Sequence, residues 1–243
     1  MQWASNALVP ASRDTLVRVR SGLGEGLVFR VHPRWEWPVW DGTYEAAVQG
    51  LLDQVLRLGL NFYDVGGGMG FFTCCAAKRG ARVFVFEPDK ANADCLERHL
   101  VMNGLTELVT VERMAAYSHS GTVHVAAPAL RASHGNAVVG KGGEAIVDCT
   151  ALDDYCLHHP FPDVCKIDVE GSESEVLKGA EGLFVTGRPI AVLEVHDRSN
   201  AQFVELFFKA RGYRMQSLGS GDAFPKHVAA LPNEAIRLLG EAV

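Results

Sequence analysis

Four places in this chain gather residue types that do chemistry. The first is Tyr63-Asp64-Val65-Gly66-Gly67-Gly68-Met69-Gly70-Phe71, an apolar run passing into a glycine-rich turn. Glycine takes positive φ at little cost and lets a backbone approach a ligand closely. The spacing is G-x-G-x-G (Gly66, Gly68, Gly70). A G-x-G-x-x-G loop would put its third glycine on Phe71, and a P-loop would need a following Gly-Lys-Ser/Thr. The second place is Phe86-Glu87-Pro88, with Glu87 lying 17 residues beyond Gly70. An acid there can accept hydrogen bonds from both hydroxyls of a ribose. The third is Lys166-Ile167-Asp168-Val169-Glu170-Gly171. One lysine and two acids on a strand are costly to bury unless they line a site. If the strand runs on, Asp168 and Glu170 alternate along it and point the same way. The fourth is Leu193-Glu194-Val195-His196-Asp197, where Glu194 and His196 share a face and an imidazole titrates near neutrality. Loop and acid together predict a nucleoside-containing ligand, without separating a nicotinamide cofactor from S-adenosylmethionine. The plain alternatives are a tight turn, solvated loop carboxylates, a helix N-terminal contact for Glu170 and a structural histidine.

The elements that must position these residues follow from periodicity. Alternating runs at 16–20 and 27–31, separated by Ser-Gly-Leu-Gly-Glu-Gly, predict a β-hairpin. Apolar residues from Tyr44 to Leu58 recur at helical spacing, closed by Gly59. Strands are predicted at 61–65, 82–86, 108–113, 164–169 and 189–195, with helices at 69–79, 90–103, 173–180 and 201–211. Residues 119–148 interrupt the rhythm. They predict an insertion with a hairpin between 123–125 and 145–147 and a mobile Gly/Ala-rich loop at 127–143. Thr150 and Asp153 resemble an N-capping pair for a short helix through Leu157. Runs 213–218 and 228–231 predict a final antiparallel pair, and 234–242 a terminal helix. Alternating strands and helices imply a mostly parallel, Rossmann-like α/β sheet covered on both faces. Its ligand edge lies at the carboxyl ends of the strands, just after Val65, Phe86, Val111, Ile167 and Leu193. The expected organisation is an N-terminal hairpin and helix extension over 1–59 and the ligand-binding domain over 60–243.

Composition narrows the class. The 243 residues carry 23 Lys+Arg against 29 Asp+Glu, a net charge of −6, and 48% are hydrophobic. That balance excludes a disordered chain. The negative charge and the lack of basic runs argue against nucleic acid as a partner. No apolar window long enough for a membrane span occurs, and Met1 to Val19 shows no secretory signal. Cys74, Cys75, Cys95, Cys149, Cys156 and Cys165 contain no C-x-x-C pair. They predict free thiols in a cytoplasmic protein.

Further residues carry a resemblance. The Asp64–Gly70 loop, Phe86-Glu-Pro88, Asn103-Gly104 and Lys166-Ile-Asp-Val-Glu-Gly-Ser-Glu-Ser-Glu-Val-Leu-Lys-Gly-Ala180 resemble the FkbM family of S-adenosylmethionine-dependent methyltransferases. Gly42-Thr-Tyr-Glu45 and Thr150-Ala-Leu-Asp-Asp-Tyr155 fit its pattern as well. The likeness runs from about Gly42 to His196, and Lys166–Gly171 is its most specific part. Two departures stand out: Gly67-Gly68 where the family more often has Ala-Asn, and Met114-Ala115-Ala116 without an acid at the third strand's end.

The resemblance implies O-methylation of a hydroxyl on a small molecule, a sugar or secondary metabolite. It places cofactor contacts at Tyr44, Asp64, Gly66, Gly68, Gly70, Glu87, Pro88, Met114, Ala115 and Asp168. Glu87 would hold the ribose, and the carboxylate at Asp64 the methionine ammonium. Tyr44 or Phe71 would face the sulfonium, although both could simply belong to an apolar wall, the preferred reading for Phe71. Holding donor and acceptor at near-attack distance can supply about 7–11 kcal/mol. A general base helps a neutral hydroxyl react. The candidates are His196, then Asp168, then His134 in a lid-like Ser133-His-Gly-Asn136. A divalent metal on Asp168, Glu170 and Glu194 is an alternative, with Mg²⁺ suited to carboxylates, but the metal-free mechanism is preferred. Competing functions are an NAD(P)-dependent oxidoreductase and a non-catalytic S-adenosylmethionine-binding module. None of Tyr44, Tyr63, Tyr117, Tyr155 and Tyr213 has lysine four residues on, which counts against the first. Asp168-Val-Glu-Gly replaces the Asn/Asp-Pro-Pro-aromatic signature of base-nitrogen methyltransferases.

Overall fold

The computed structural model describes residues 14–126, 138–139, 145–219, 221 and 223–235. His134, all but residues 138–139 of the expected 127–143 loop and most of the expected terminal helix lie outside them. Strands β1 (Thr15–Arg18) and β2 (Val28–Val31) form the expected antiparallel hairpin. Helix α1 (Trp37–Asp41) has Pro38 in its first turn, where a missing N–H costs nothing, and ends on Gly42 at φ 89. Helix α2 (Ala46–Val55) buries Val48, Leu51, Leu52 and Val55. It is shorter than the periodicity predicts. Glu45 precedes it at φ 44, Leu56 turns extended after it, and Gly59 lies beyond in a separate turn.

The alternating part runs β3 (Asn61–Val65), α3 (Phe71–Lys78), β4 (Arg82–Phe86), α4 (Lys90–Asn103) and β5 (Val109–Glu112). A small sheet follows: β6 (Ala115–Ala116), β7 (Gly121–Ala126), β8 (Val138–Val139) and β9 (Ala145–Thr150). Its β7–β9 pairing sets Val123 opposite Val147, as the expected hairpin requires. The chain then resumes with α5 (Leu152–Tyr155), β10 (Val164–Ile167), α6 (Glu173–Lys178), β11 (Ile190–Val195), α7 (Arg198–Ala210), β12 (Tyr213–Ser217) and β13 (Lys226–Pro232).

Among the described residues the main sheet has seven strands, in the order β12-β13-β11-β10-β3-β4-β5. Only β13 runs against its neighbours. The order reverses between β3 and β10, which opens a crevice at their carboxyl ends. Successive strand residues point to opposite faces, and both faces are covered. Phe62 and Val83 join a core with Phe29, Leu52, Phe72 and Leu96, so the N-terminal hairpin and α2 share that core. Tyr63 and Phe86 join the other core, with Ile167, Leu177, Phe184 and Phe208.

One local expectation fails. Thr150 and Asp153 do not cap α5, whose first turn opens at Ala151 without a side-chain cap. The Thr150 hydroxyl donates to the Ala151 carbonyl instead, at 3.1 Å. Asp153 accepts from the Gly182 and Leu183 amides at 2.8 and 2.7 Å. The carboxylate satisfies the two amides at the start of the turn at Leu183–Gly187, two charge-assisted bonds in place of one cap. None of the described helices is long and apolar enough to cross a membrane. All six cysteines are free thiols.

Candidate functional site

The glycine loop is built by backbone contacts between strand ends. Gly66 and Gly67 donate to the Phe86 carbonyl at 2.9 and 3.2 Å, and Asp168 donates to the Val65 carbonyl at 2.8 Å. Gly66 sits at φ 86, and a Cβ there would stand 1.8 Å from the Asp168 carbonyl oxygen. Gly70 begins α3 in the left-handed region against Leu96. Gly68, at φ 53, donates its N–H to Glu87 Oε2 at 2.7 Å. Glu87 Oε1 accepts from Asp89 at 2.9 Å. Glu87 is only 4% exposed. Burial pushes its carboxyl up to about 7, against the lowering effect of those amides.

Below the loop lies a buried charge pair. Asp64 on β3 is 1% exposed and stands in register with Lys166 on β10, itself 3% exposed. Asp64 Oδ2 accepts from Thr73 at 2.6 Å, while Oδ1 has no partner. Burial pushes Asp64 up to about 6, although Lys166 and Thr73 pull the other way. Lys166 donates to Asp168 Oδ2 at 3.0 Å, with Nζ 5.0 Å from the Phe72 ring centre. Burial disfavours its charge, but Asp168, Glu45 and Asp64 outweigh that and hold it firmly protonated.

A cavity of about 150 Å³ opens here. Tyr44, Asp64, Gly66, Gly68 and Asp168 line it, together with Lys166, Phe72 and the N-terminal Trp35, Glu36 and Val39. Gly70, Glu87, Pro88, Met114 and Ala115 are not in its wall. Met114 packs into the second core, and Ala115 is buried in β6. Buried Gln49 places Tyr44, donating to the Gly42 and Tyr44 carbonyls and accepting from Leu23. The Tyr44 ring meets Phe71 edge-on, and Phe71 also packs on Phe29 in the core.

Beside this cavity the strand ends gather a second group. His196 Nδ1 contacts Glu173 Oε1 at 2.7 Å, and its Nε2 faces Glu170 Oε2 at 3.2 Å and Asp168 Oδ1 at 3.9 Å. His227 Nε2 lies 3.1 Å from Glu45 Oε2 and 3.8 Å from Glu194 Oε1. Burial lowers the His196 pKa, but the carboxylates of Glu170 and Glu173 overcome it and raise it to about 10. Burial, then the charges of Asp168 and Glu45, push Glu194 up to about 7. Asp168 stays below the usual carboxylate range, because Lys166 outweighs its burial.

Two expectations change. His196 occupies the ligand edge as predicted, but as an imidazolium among carboxylates at neutral pH it has no free nitrogen to take a proton. Asp168 and Glu170 do meet, but not by alternating on a strand. β10 stops at Ile167 and Glu170 takes φ 53, so the chain turns and His196 bridges the two acids. Sequence reasoning passed over Glu173, Glu45 and His227. His227 enters because β13 pairs with β11 and sets it opposite Glu194, a pairing the sequence does not announce.

A family model described as the Methyltransferase FkbM domain matches residues 63–215. A hexuronic acid methyltransferase, AglP of Haloferax volcanii, is 31% identical over 163 residues. The match spans 66% of each chain, just under two thirds of the relative's length. Solved structures share the fold. A methyltransferase FkbM from Methylobacillus flagellatus superposes with TM-score 0.55 at 20% identity, over 72% of this chain and 45% of that one. An rRNA methylase from Streptococcus thermophilus gives 0.52 at 13% identity, over 77% and 94%.

Proposed function

Since this chain belongs to the FkbM family of S-adenosylmethionine-dependent methyltransferases, we propose that it methylates an oxygen of a small, sugar-type acceptor. The observation that carries the cofactor half is Asp64 Oδ1, a buried carboxylate oxygen without a donor at the cavity wall. An ammonium group satisfies such an atom, and leaving it unmet costs stability. The glycine loop meets the same ligand with backbone in place of side chains. S-adenosylmethionine, when bound, supplies an electrophilic methyl group on a sulfonium. Asp64 would hold the amino-acid end, the Gly66–Gly68 backbone would offer the close approach the ligand needs, and Glu87, buried outside the wall, would act by fixing the Gly68 amide. Tyr44 and Phe72, which line the cavity, would bring aromatic rings near the positive charge, worth about 0.5–2 kcal/mol.

The acceptor half is the Asp168–Glu194–His196 edge. A hydroxyl there loses its proton to the Glu194–Asp168 pair. Glu194, titrating near 7, is matched to that task in its ionised form. His196, held as an imidazolium by Glu173 and Glu170, donates a hydrogen bond and orients the acceptor. The named activity of the AglP relative on a hexuronic acid supports a sugar acid as the first acceptor class to try. Within this proposal the division of labour falls at residue 60. Residues 1–59 wall the site through Trp35, Glu36 and Tyr44, and residues 60–243 hold the cofactor. The free cysteines suit a cytoplasmic setting.

The test is calorimetric binding of S-adenosylhomocysteine, then transfer of a labelled methyl group to a panel of uronic acids and neutral glycosides. Asp64→Asn should weaken cofactor binding at least tenfold. Unchanged affinity removes Asp64 from the cofactor site, and labelling of no carbohydrate removes the sugar acceptor.

A further inference from the structure

Asp168, Glu194 and His196 come from the ends of adjacent strands β10 and β11, and each offers one ligand atom within 4.8 Å of the others. Their side chains are set as ligands are set. Lys166 occupies Asp168 Oδ2 at 3.0 Å. The other oxygen, Oδ1, is buried and accepts no hydrogen bond. Glu173, with no exposed surface, holds His196 Nδ1 at 2.7 Å. That contact fixes the ring and aims Nε2 at Asp168 Oδ1 and Glu170 Oε2. A buried carboxylate behind one imidazole nitrogen, with the other turned toward acidic oxygens, is the usual outer-shell support of a metal-ligating histidine. Charge points the same way. Glu45, Asp168, Glu170, Glu173 and Glu194 crowd around Lys166, His196 and His227, and carboxylates this close need a shared proton or a cation.

We propose that Asp168, Glu194 and the Nε2 of His196 form a divalent-cation site of the Mn²⁺ or Mg²⁺ class at the acceptor edge of the cavity, the ion taking the place of the Nε2 proton, which is released on binding. Two carboxylates and one imidazole suit such an ion better than a soft one, and they leave coordination positions open. Asp168 both lines the cavity and ligates, so an oxygen of the acceptor entering beside it takes an open position. This role rests on the proposed methyl transfer and, with the ion bound, replaces the proton-accepting part of Glu194 and the hydrogen-bonding part of His196 given there; the site itself does not rest on it. Glu45, Glu194 and His227 form a neighbouring trio that shares Glu194, and the test must tell the two apart.

The experiment uses the full chain treated with chelator and then titrated with Mn²⁺, followed by calorimetry and by pulsed electron paramagnetic resonance for nitrogen coupling. The expected result is one saturable ion per chain with coupling to one imidazole. His196→Gln should abolish the coupling and weaken binding at least tenfold, while His227→Gln leaves the coupling in place. Glu194→Gln, close in shape, should weaken binding by a similar factor; because both trios share Glu194, it carries the test together with the His227→Gln spectrum if the His196 variant does not fold by circular dichroism. Absence of saturable binding below 1 mM (roughly 4 kcal/mol), or coupling that disappears in His227→Gln and survives in His196→Gln, overturns the proposal. S-adenosylhomocysteine binding is measured on the same samples. Its failure counts against the proposed function alone, and its success without Mn²⁺ binding counts against the cation site alone.

Discussion

The two halves of the site are made of different material. The cofactor half is backbone: three strand ends tied by amide–carbonyl bonds, with glycines where a side chain would collide. The acceptor half is side chain: carboxylates and imidazoles from α2, β10, α6, β11 and β13, paired with each other and with Lys166. A backbone site is rigid because the sheet is rigid, and it tolerates few substitutions. A side-chain site of unequal charge keeps its arrangement only while its protons and counter-ions are in place. Among the described residues, two of the three non-glycine residues at positive φ, Glu45 and Glu170, lie in this second half. Local strain of that kind costs about 1–3 kcal/mol each and persists where surrounding contacts enforce it.

Lys166 belongs to both halves, so removing it should have the largest effect. Lys166→Met leaves Asp64, Asp168 and Glu45 without their common cation. Losing one partner of a buried ion pair costs about 3–5 kcal/mol. The loss should show in urea denaturation as a lower midpoint at unchanged slope, and cofactor binding should fall with it. A loss below about 1 kcal/mol would mean that the carboxylates take up protons and manage without the lysine.

Gly66 should rank next, with an effect of about 3 kcal/mol for Gly66→Ala. About 1–2 kcal/mol of that is the positive φ, and the rest is the collision with the Asp168 carbonyl. Gly104→Ala supplies the control, because Gly104 has φ 66 and open space around its would-be Cβ. If the two variants lose equal stability by thermal unfolding, the close contact between the loop and β10 is not a rigid one. A larger loss at Gly66, accompanied by loss of S-adenosylhomocysteine binding, makes the loop's backbone the common support of both halves.

The same contrast explains what could be read in advance. The glycine loop, Glu87 and the strand order are local or periodic signals, and a mostly parallel sheet brings its strand ends to one edge. That is why Asp168, Glu194 and His196 could be placed together across nearly thirty residues. Protonation is a different matter. The charge on His196 is set by Glu170 together with Glu173, and Glu173 reads in sequence as an ordinary first-turn acid of α6 yet is wholly buried in the fold. Glu45 enters through a left-handed residue before α2, and His227 through the antiparallel strand, and neither follows from spacing within a motif. Thr150 and Asp153 show the converse error. A short-range pattern was present, but a partner some thirty residues away, Gly182-Leu183, took the carboxylate.

The smallest expected effect isolates one proton of the acceptor half. Glu194 has a folded-state pKa of about 7, against 4.5 for an ordinary glutamate, through burial and the neighbouring Asp168 and Glu45. A raised carboxyl pKa means that the folded state binds the proton more tightly than the unfolded state. The stabilisation is therefore complete below 4.5 and is lost as pH rises through 7. Asp64 and Glu87 are also raised and add the same trend, so the wild-type slope alone does not identify the group. Glu194→Gln does. Glutamine imitates the protonated acid and has no proton to lose. With chelator present, the variant and the wild type should melt together at pH 5. At pH 8 the variant should be the more stable by about 1–3 kcal/mol, a rise of several degrees in a chain of this length. A melting difference that stays constant from pH 5 to pH 8 would show that Glu194 ionises freely beside Asp168. The acceptor half would then be balanced in charge, as the cofactor half is, and the contrast between them would fail.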